Sequence, residues 1–114
     1  MAGIAKIESI TIDVKDLLKE LEFWEAVLGA ESEVWQHNAD FVTIKGSNLA
    51  LQKVPELKSG KNRAHPDMAV EDIDAATPQL EALGASVVQP PPTQGFRWAV
   101  MADPGGNEFC ISVG

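Results

Sequence analysis

Asn62-Arg63-Ala64-His65-Pro66-Asp67-Met68-Ala69-Val70 is the stretch that decides the fold. Met68 and Val70 alternate with His65, Asp67 and Ala69, the period of a strand with one face on a core and a histidine and a carboxylate on the other. Glu71-Asp72, a segment of helical spacing and Leu83-Gly84-Ala85 follow. The first half of the chain has the same order. Ile10, Ile12 and Val14 alternate with Ser9, Thr11 and Asp13, and then come Lys15-Asp16, a helical segment and Leu28-Gly29-Ala30. His65 precedes Val70 by five residues, as Ser9 precedes Val14. The chain therefore reads as a tandem repeat of one supersecondary unit, with Ser9 and His65 at equivalent places.

Working outward, residues 4–14 form the first strand, with Ile10, Ile12 and Val14 toward a core. Asp16 caps a helix whose apolar stripe is Leu17, Leu18, Leu21, Trp24, Val27 and Leu28, and Gly29 stops it. Trp24 belongs in the core; Phe23 is either core or a ligand-stacking ring. Residues 33–37 and 40–45 read as strands joined by a turn around Asn38, and residues 49–54 as a third. Residues 55–63 form a linker without periodicity. In the second unit, Asp72 or Asp74 caps a helix to Leu83, with Ile73, Leu80 and Leu83 buried and Pro78 disturbing its start. Strands follow at 86–89, 96–102 and 108–113, with three prolines after the first and the turn Asp103-Pro104-Gly105-Gly106-Asn107 before the last. In that last strand Phe109, Ile111 and Val113 pack under the helix, which leaves Cys110 on the side of His65.

The expected fold is α+β: one domain over residues 1–114, built from two βαβββ modules at about 1–55 and 64–114. Two such modules set edge to edge give one curved sheet with helices outside and a concave pocket inside. Ser9, Thr11, Asp13, His65, Asp67, Cys110 and Ser112 point into it by alternation, and one of Arg97 and Trp98 joins them. A concave polar face near aromatic residues is suited to a small molecule.

Nine Lys and Arg against 17 Asp and Glu give a net charge of −8, which disfavours nucleic acid and mildly favours cationic ligands. No apolar run is long enough to span a membrane, so no membrane partner is expected. The single Cys110 excludes an internal disulfide and suits the cytoplasm.

The paired Val-x-Asp to Leu-Gly-Ala units, Phe23-Trp24 before Val27-Leu28-Gly29, the segment Arg63 to Asp67, and Asp103-Pro104-Gly105-Gly106-Asn107-Glu108-Phe109 cover almost the whole chain. In their order and spacing they resemble the vicinal oxygen chelate superfamily, which includes glyoxalase I, bleomycin resistance proteins and extradiol dioxygenases. The resemblance implies paired βαβββ modules and a homodimer. It also implies a divalent metal held from the first and last strands of each module, which here are the positions of Ser9, Gln52, His65 and Cys110. His65 is the one typical match, Gln52 is an acceptable oxygen donor, and Ser9 and Cys110 are poor ligands for a hard ion. His65 and Gln52 are thus the metal candidates, and a complete metal site is not expected.

The expected function is binding of a small organic molecule, with no cofactor required. His65 and Asp67 are the catalytic candidates, His65 as a general base oriented by Asp67 or as an ordinary hydrogen-bonded histidine. Ser9, Thr11, Gln52, Arg63, Trp98 and Cys110 are the substrate-binding candidates. Arg63 either anchors an anion or bridges to Asp67, and Cys110 is core filler unless a positive group activates it. The enzymatic alternative is a metal-dependent lyase, isomerase or dioxygenase using His65 and Gln52. The binding alternative is sequestration of a cationic drug, as the bleomycin resistance resemblance suggests.

Overall fold

The computed structural model describes residues 3–4, 7–62 and 64–113. The elements run β1 (Ile10–Val14), α1 (Leu17–Leu28), β2 (Ser32–Trp35), β3 (Asn38–Ile44), β4 (Leu49–Lys53), β5 (Asp67–Val70), α2 (Ile73–Ala82), β6 (Ser86–Gln89), β7 (Trp98–Ala102) and β8 (Glu108–Val113). The chain divides into two compact units, residues 1–56 and 57–114. Each holds one helix and one four-stranded mixed sheet, ordered β1-β4-β3-β2 in the first and β5-β8-β7-β6 in the second. In both, the first strand lies parallel to the last, while the other neighbours are antiparallel. This is an α+β fold of two βαβββ modules.

In the first unit β1 is an edge strand and is shorter than expected. Ile10 stands opposite Leu49, the first residue of β4, so residues 7–9 have no β4 residue beside them. Of the apolar residues on β1 only Val14 is fully buried, and Ile10 is exposed. Asp16 caps α1 by accepting from the Lys19 N–H at 3.2 Å, and Gly29 ends it at φ 61°. That left-handed conformation costs a residue with a Cβ but not glycine. The buried face of α1 is Glu20, Phe23 and Trp24, with Phe23 edge-on to Trp24 at 5.1 Å. Phe23 is therefore core, whereas Leu18 and Leu28, placed in the apolar stripe by their spacing, are exposed. The β2–β3 turn falls at Gln36–His37 rather than around Asn38. A register shift between Val34 and Trp35 moves it, and Asn38 begins β3 with its side chain accepting the Asp40 N–H at 3.0 Å.

In the second unit the strand expected over 62–70 begins only at Asp67. Pro66 has no N–H for a ladder, yet its carbonyl accepts the Cys110 N–H at 2.9 Å and starts the pairing of β5 with β8. Asp72, not Asp74, caps α2, accepting the Asp74 N–H at 2.9 Å. Ile73 and Leu80 are buried, but Leu83 is the C-cap residue and is exposed. Pro78 lies inside the helix rather than at its start, and the Thr77 hydroxyl donates to the Ile73 carbonyl at 2.8 Å one turn back. β7 starts at Trp98, two residues later than expected, after the proline segment.

The turn from Asp103 to Asn107 ties β7 to β8. The buried Asp103 carboxylate accepts the N–H groups of Gly105 at 3.0 Å and Asn107 at 2.8 Å. The Asp103 N–H donates to the Asn107 carbonyl at 2.8 Å. Across from this turn stands Gly84, at φ 116°, where a Cβ would lie 3.2 Å from the Pro104 side chain. Hydrogen bonds to a buried carboxylate are worth about 1.5–3 kcal/mol each. Asp103→Ala is expected to destabilise the protein by about 3 kcal/mol, lowering Tm by roughly 10 °C or more. Calorimetry checks this, and a shift below ~3 °C would mean that the turn does not need the carboxylate.

Candidate functional site

The two faces of the second sheet differ sharply. Phe109, Ile111, Ala99 and Met101 are buried, and β8 packs against α2 on that side. The alternate residues face the other way. Pairing sets Asp67 and Val100 on either side of Cys110, and Ala69 and Trp98 on either side of Ser112. Cys110, Ser112, Asp67 and Trp98 therefore share the open face. Arg97 belongs to the helix side, where its guanidinium grips Asp74 of α2 at 3.1 and 3.2 Å and its Nε–H donates to the Pro92 carbonyl at 2.8 Å. Parity alone left Arg97 and Trp98 open; the Asp74 pair settles the choice.

His65 reaches the same face from the segment before β5. That segment is fastened to β8 twice, by the Asn62 amide donating to the Glu108 carbonyl at 3.1 Å and by the Cys110 N–H to Pro66. His65 Nδ1 lies 3.2 Å from Asp67 Oδ1. One ligand atom from each of His65, Asp67 and Cys110 lies within 4.8 Å of the others. His65 and Asp67 are exposed and Cys110 is half-buried. Burial pushes the Cys110 thiol above its ordinary pKa. The neighbouring Asp67, by its charge and by accepting the S–H, and Glu108 add to the shift, which Lys61 opposes. Cys110 is thus half-buried beside a carboxylate that disfavours its thiolate.

Phe96 was not singled out by the sequence, although it stands two residues before Trp98 and shares its parity. Its ring stacks on Trp98 with centroids 6.0 Å apart and planes 24° from parallel. Both rings meet solvent, Phe96 at 71% and Trp98 at 39% exposure.

Ser9, Thr11 and Gln52 lie in the first unit. Thr11 and Asp13 of β1 share a face with Gln52 of β4, which stands between Asp13 and Phe41. Ser9 is half-buried and precedes β1. Trp35 is exposed beside His37 and Phe41, with ring centroids at 5.3 and 5.9 Å. Arg63 lies outside the described residues, so neither of its proposed roles is placed.

Paired βαβββ units with polar residues on the open faces define the vicinal oxygen chelate fold. A family model for the glyoxalase-like domain matches residues 9–112, and the chain belongs to that family. It is similar to a glyoxalase/bleomycin resistance protein/dioxygenase superfamily member from Sphaerobacter thermophilus. The identity is 27% and the TM-score 0.72, over 97% of this chain and 98% of that one. TnmS3, an antibiotic binding protein from Streptomyces, is 22% identical with a TM-score of 0.69, over 99% and 98% of the two chains. A mutant of the fosfomycin resistance protein FosX from Listeria monocytogenes, complexed with Mn(II) and 1S,2S-dihydroxypropylphosphonic acid, is 22% identical with a TM-score of 0.74, over 98% and 92%.

Because burial and the Asp67 charge both disfavour the Cys110 thiolate, metal-free protein should reach half-maximal alkylation by iodoacetamide at a higher pH than a cysteine peptide. Asp67→Asn removes the charge but not the burial, so it should lower that midpoint without restoring the peptide value. A midpoint unmoved by Asp67→Asn would contradict the assigned coupling.

Proposed function

We propose that this chain binds a small organic molecule with a planar ring on the open face of its second sheet. The observation that carries the reading is the exposed Phe96–Trp98 stack on the face that also holds His65, Asp67 and Cys110. Trp98 is opposite Ser112, two residues along β8 from Cys110, so its Cα is roughly 7–8 Å diagonally from that of Cys110. A ring laid on the aromatic pair would have its polar substituents within reach of the three polar side chains. The aromatic contact supplies affinity and the polar groups supply orientation.

The His65–Asp67 contact gives each polar group a role. With Nδ1–H donating to the Asp67 carboxylate, the neutral imidazole presents Nε2 as an acceptor or general base. Similarity to an antibiotic binding protein and to fosfomycin resistance proteins supports a ligand of drug size, and the net charge of −8 favours a cationic one. A cytoplasmic homodimer, with both units acting as one domain, belongs to the same reading. A hard ion such as Mn(II) is not part of it, because Ser9 and the Cys110 thiol are weak donors for such an ion.

The test is a thermal-shift and fluorescence titration of metal-free protein against cationic aromatic antibiotics. At least one compound should raise Tm, and Trp98→Ala should weaken its binding by about tenfold, the equivalent of one aromatic stacking contact. His65→Ala should weaken ligands that carry a hydrogen-bond donor more than those that do not. If no compound shifts Tm at high excess, or if Trp98→Ala binds as tightly as wild type, the reading fails.

A further inference from the structure

We propose that Arg97 is a positioning residue for the aromatic surface: from the helix side of the second sheet, it fastens Phe96 onto Trp98 on the open side. The inference rests on the reading of that pair as the ring-binding surface, and it names the device that keeps the surface assembled.

Strand pairing alone does not place Phe96. β7 pairs with β8 from Trp98 onward, and β6 meets β7 no further than Gln89 opposite Val100, so residues 90–97 lie outside the registered ladder. Three of them, Pro90, Pro91 and Pro92, have no N–H to donate. The Phe96 ring itself is largely exposed. A single exposed ring contact is weaker than the entropic cost of ordering the residues that carry it. The segment therefore needs a second hold.

Arg97 supplies it. The residue stands between the two rings in sequence, and its side chain leaves on the opposite face. Its Nε–H closes the segment on itself by donating to the Pro92 carbonyl at 2.8 Å, while its two terminal nitrogens fork onto both Asp74 oxygens at 3.1 and 3.2 Å. A lysine ammonium does not reproduce that planar fork. The anchor is firm, because Asp74 sits in the first turn of α2 with its N–H held by the Asp72 cap. With Arg97 drawn toward α2, its neighbours Phe96 and Trp98 turn to the open face. An exposed ion pair of this kind adds little to global stability, so its effect falls on the local order of the segment.

Arg97→Met, Asp74→Ala and the double variant are compared with wild type by NMR and by titration with proflavine, a cationic three-ring aromatic. Ligand-free wild type should show a cross-relaxation contact between the Phe96 and Trp98 rings. Each single variant should lose that contact and bind proflavine about threefold to tenfold more weakly, the worth of one ring contact. The double variant should be no worse than either single one, since both break the same clasp. Tm should fall by no more than ~4 °C in each. Charge alone predicts a different pattern: Arg97→Met makes the chain more acidic and would tighten a cation, whereas Asp74→Ala would loosen it. The proposal is overturned if the ring contact is absent from wild type or persists in Arg97→Met, or if the two single variants shift proflavine affinity in opposite directions. A larger fall in Tm would mark a general structural role and overturn it as well. Failure of wild type to bind proflavine counts against the ring-binding reading alone, because the ring contact in ligand-free protein still decides the role of Arg97.

Discussion

The site depends on the parallel pairing of β5 with β8. Cys110 donates its amide to Pro66, and the ladder that follows sets Asp67 against Cys110 and Val70 against Val113. A slip of one residue along β8 would turn Ile111 to the open face and Cys110 toward α2. The slip is resisted because Phe109 and Ile111 are buried on the helix side and would be exchanged for polar residues. Apolar burial on one face thus fixes which polar side chains meet on the other. In the first unit, β1 and β4 pair in the same sense and bring Asp13 beside Gln52.

Division of labour between the faces extends to the charged groups. Arg97 is spent on Asp74 and the Pro92 carbonyl, a contact that joins the proline segment to α2. The Asp74 carboxyl is held below its ordinary pKa by that hydrogen bond and by the Arg97 charge. With Arg97 turned away, His65, Asp67 and Cys110 are the site's polar groups among the described residues of the open face that the aromatic pair also lines.

The architecture was legible because both units bury a helix stripe and alternate strand residues, and burial leaves a periodic trace. Caps were legible for the same local reason: Asp16 and Gly29 act within a turn of their own positions. Errors arose where a partner at long range decides. The ends of β1 and β5 are set by where β4 and β8 supply partners, which the strands' own composition does not encode. Leu18 and Leu28 fit the helical stripe but lie outside the packed arc that Glu20, Phe23 and Trp24 fill. At the site, alternation placed Cys110 with His65 and Asp67. It could not choose between Arg97 and Trp98, because that choice depends on Asp74, 23 residues earlier in the chain. Phe96 shares the parity of Trp98 and was still missed, because alternation gives a face but not the ring contact that makes the two aromatics one surface.

The central claim is that His65, Asp67 and Cys110 converge on one point of one sheet face. A crystal structure of the metal-free protein tests it most directly. The account predicts His65 Nδ1 within hydrogen-bond distance of the Asp67 carboxylate, the Cys110 thiol beside both, and Asp67 paired to Cys110. The three side chains pointing apart, or Asp67 paired to another residue of β8, would contradict it.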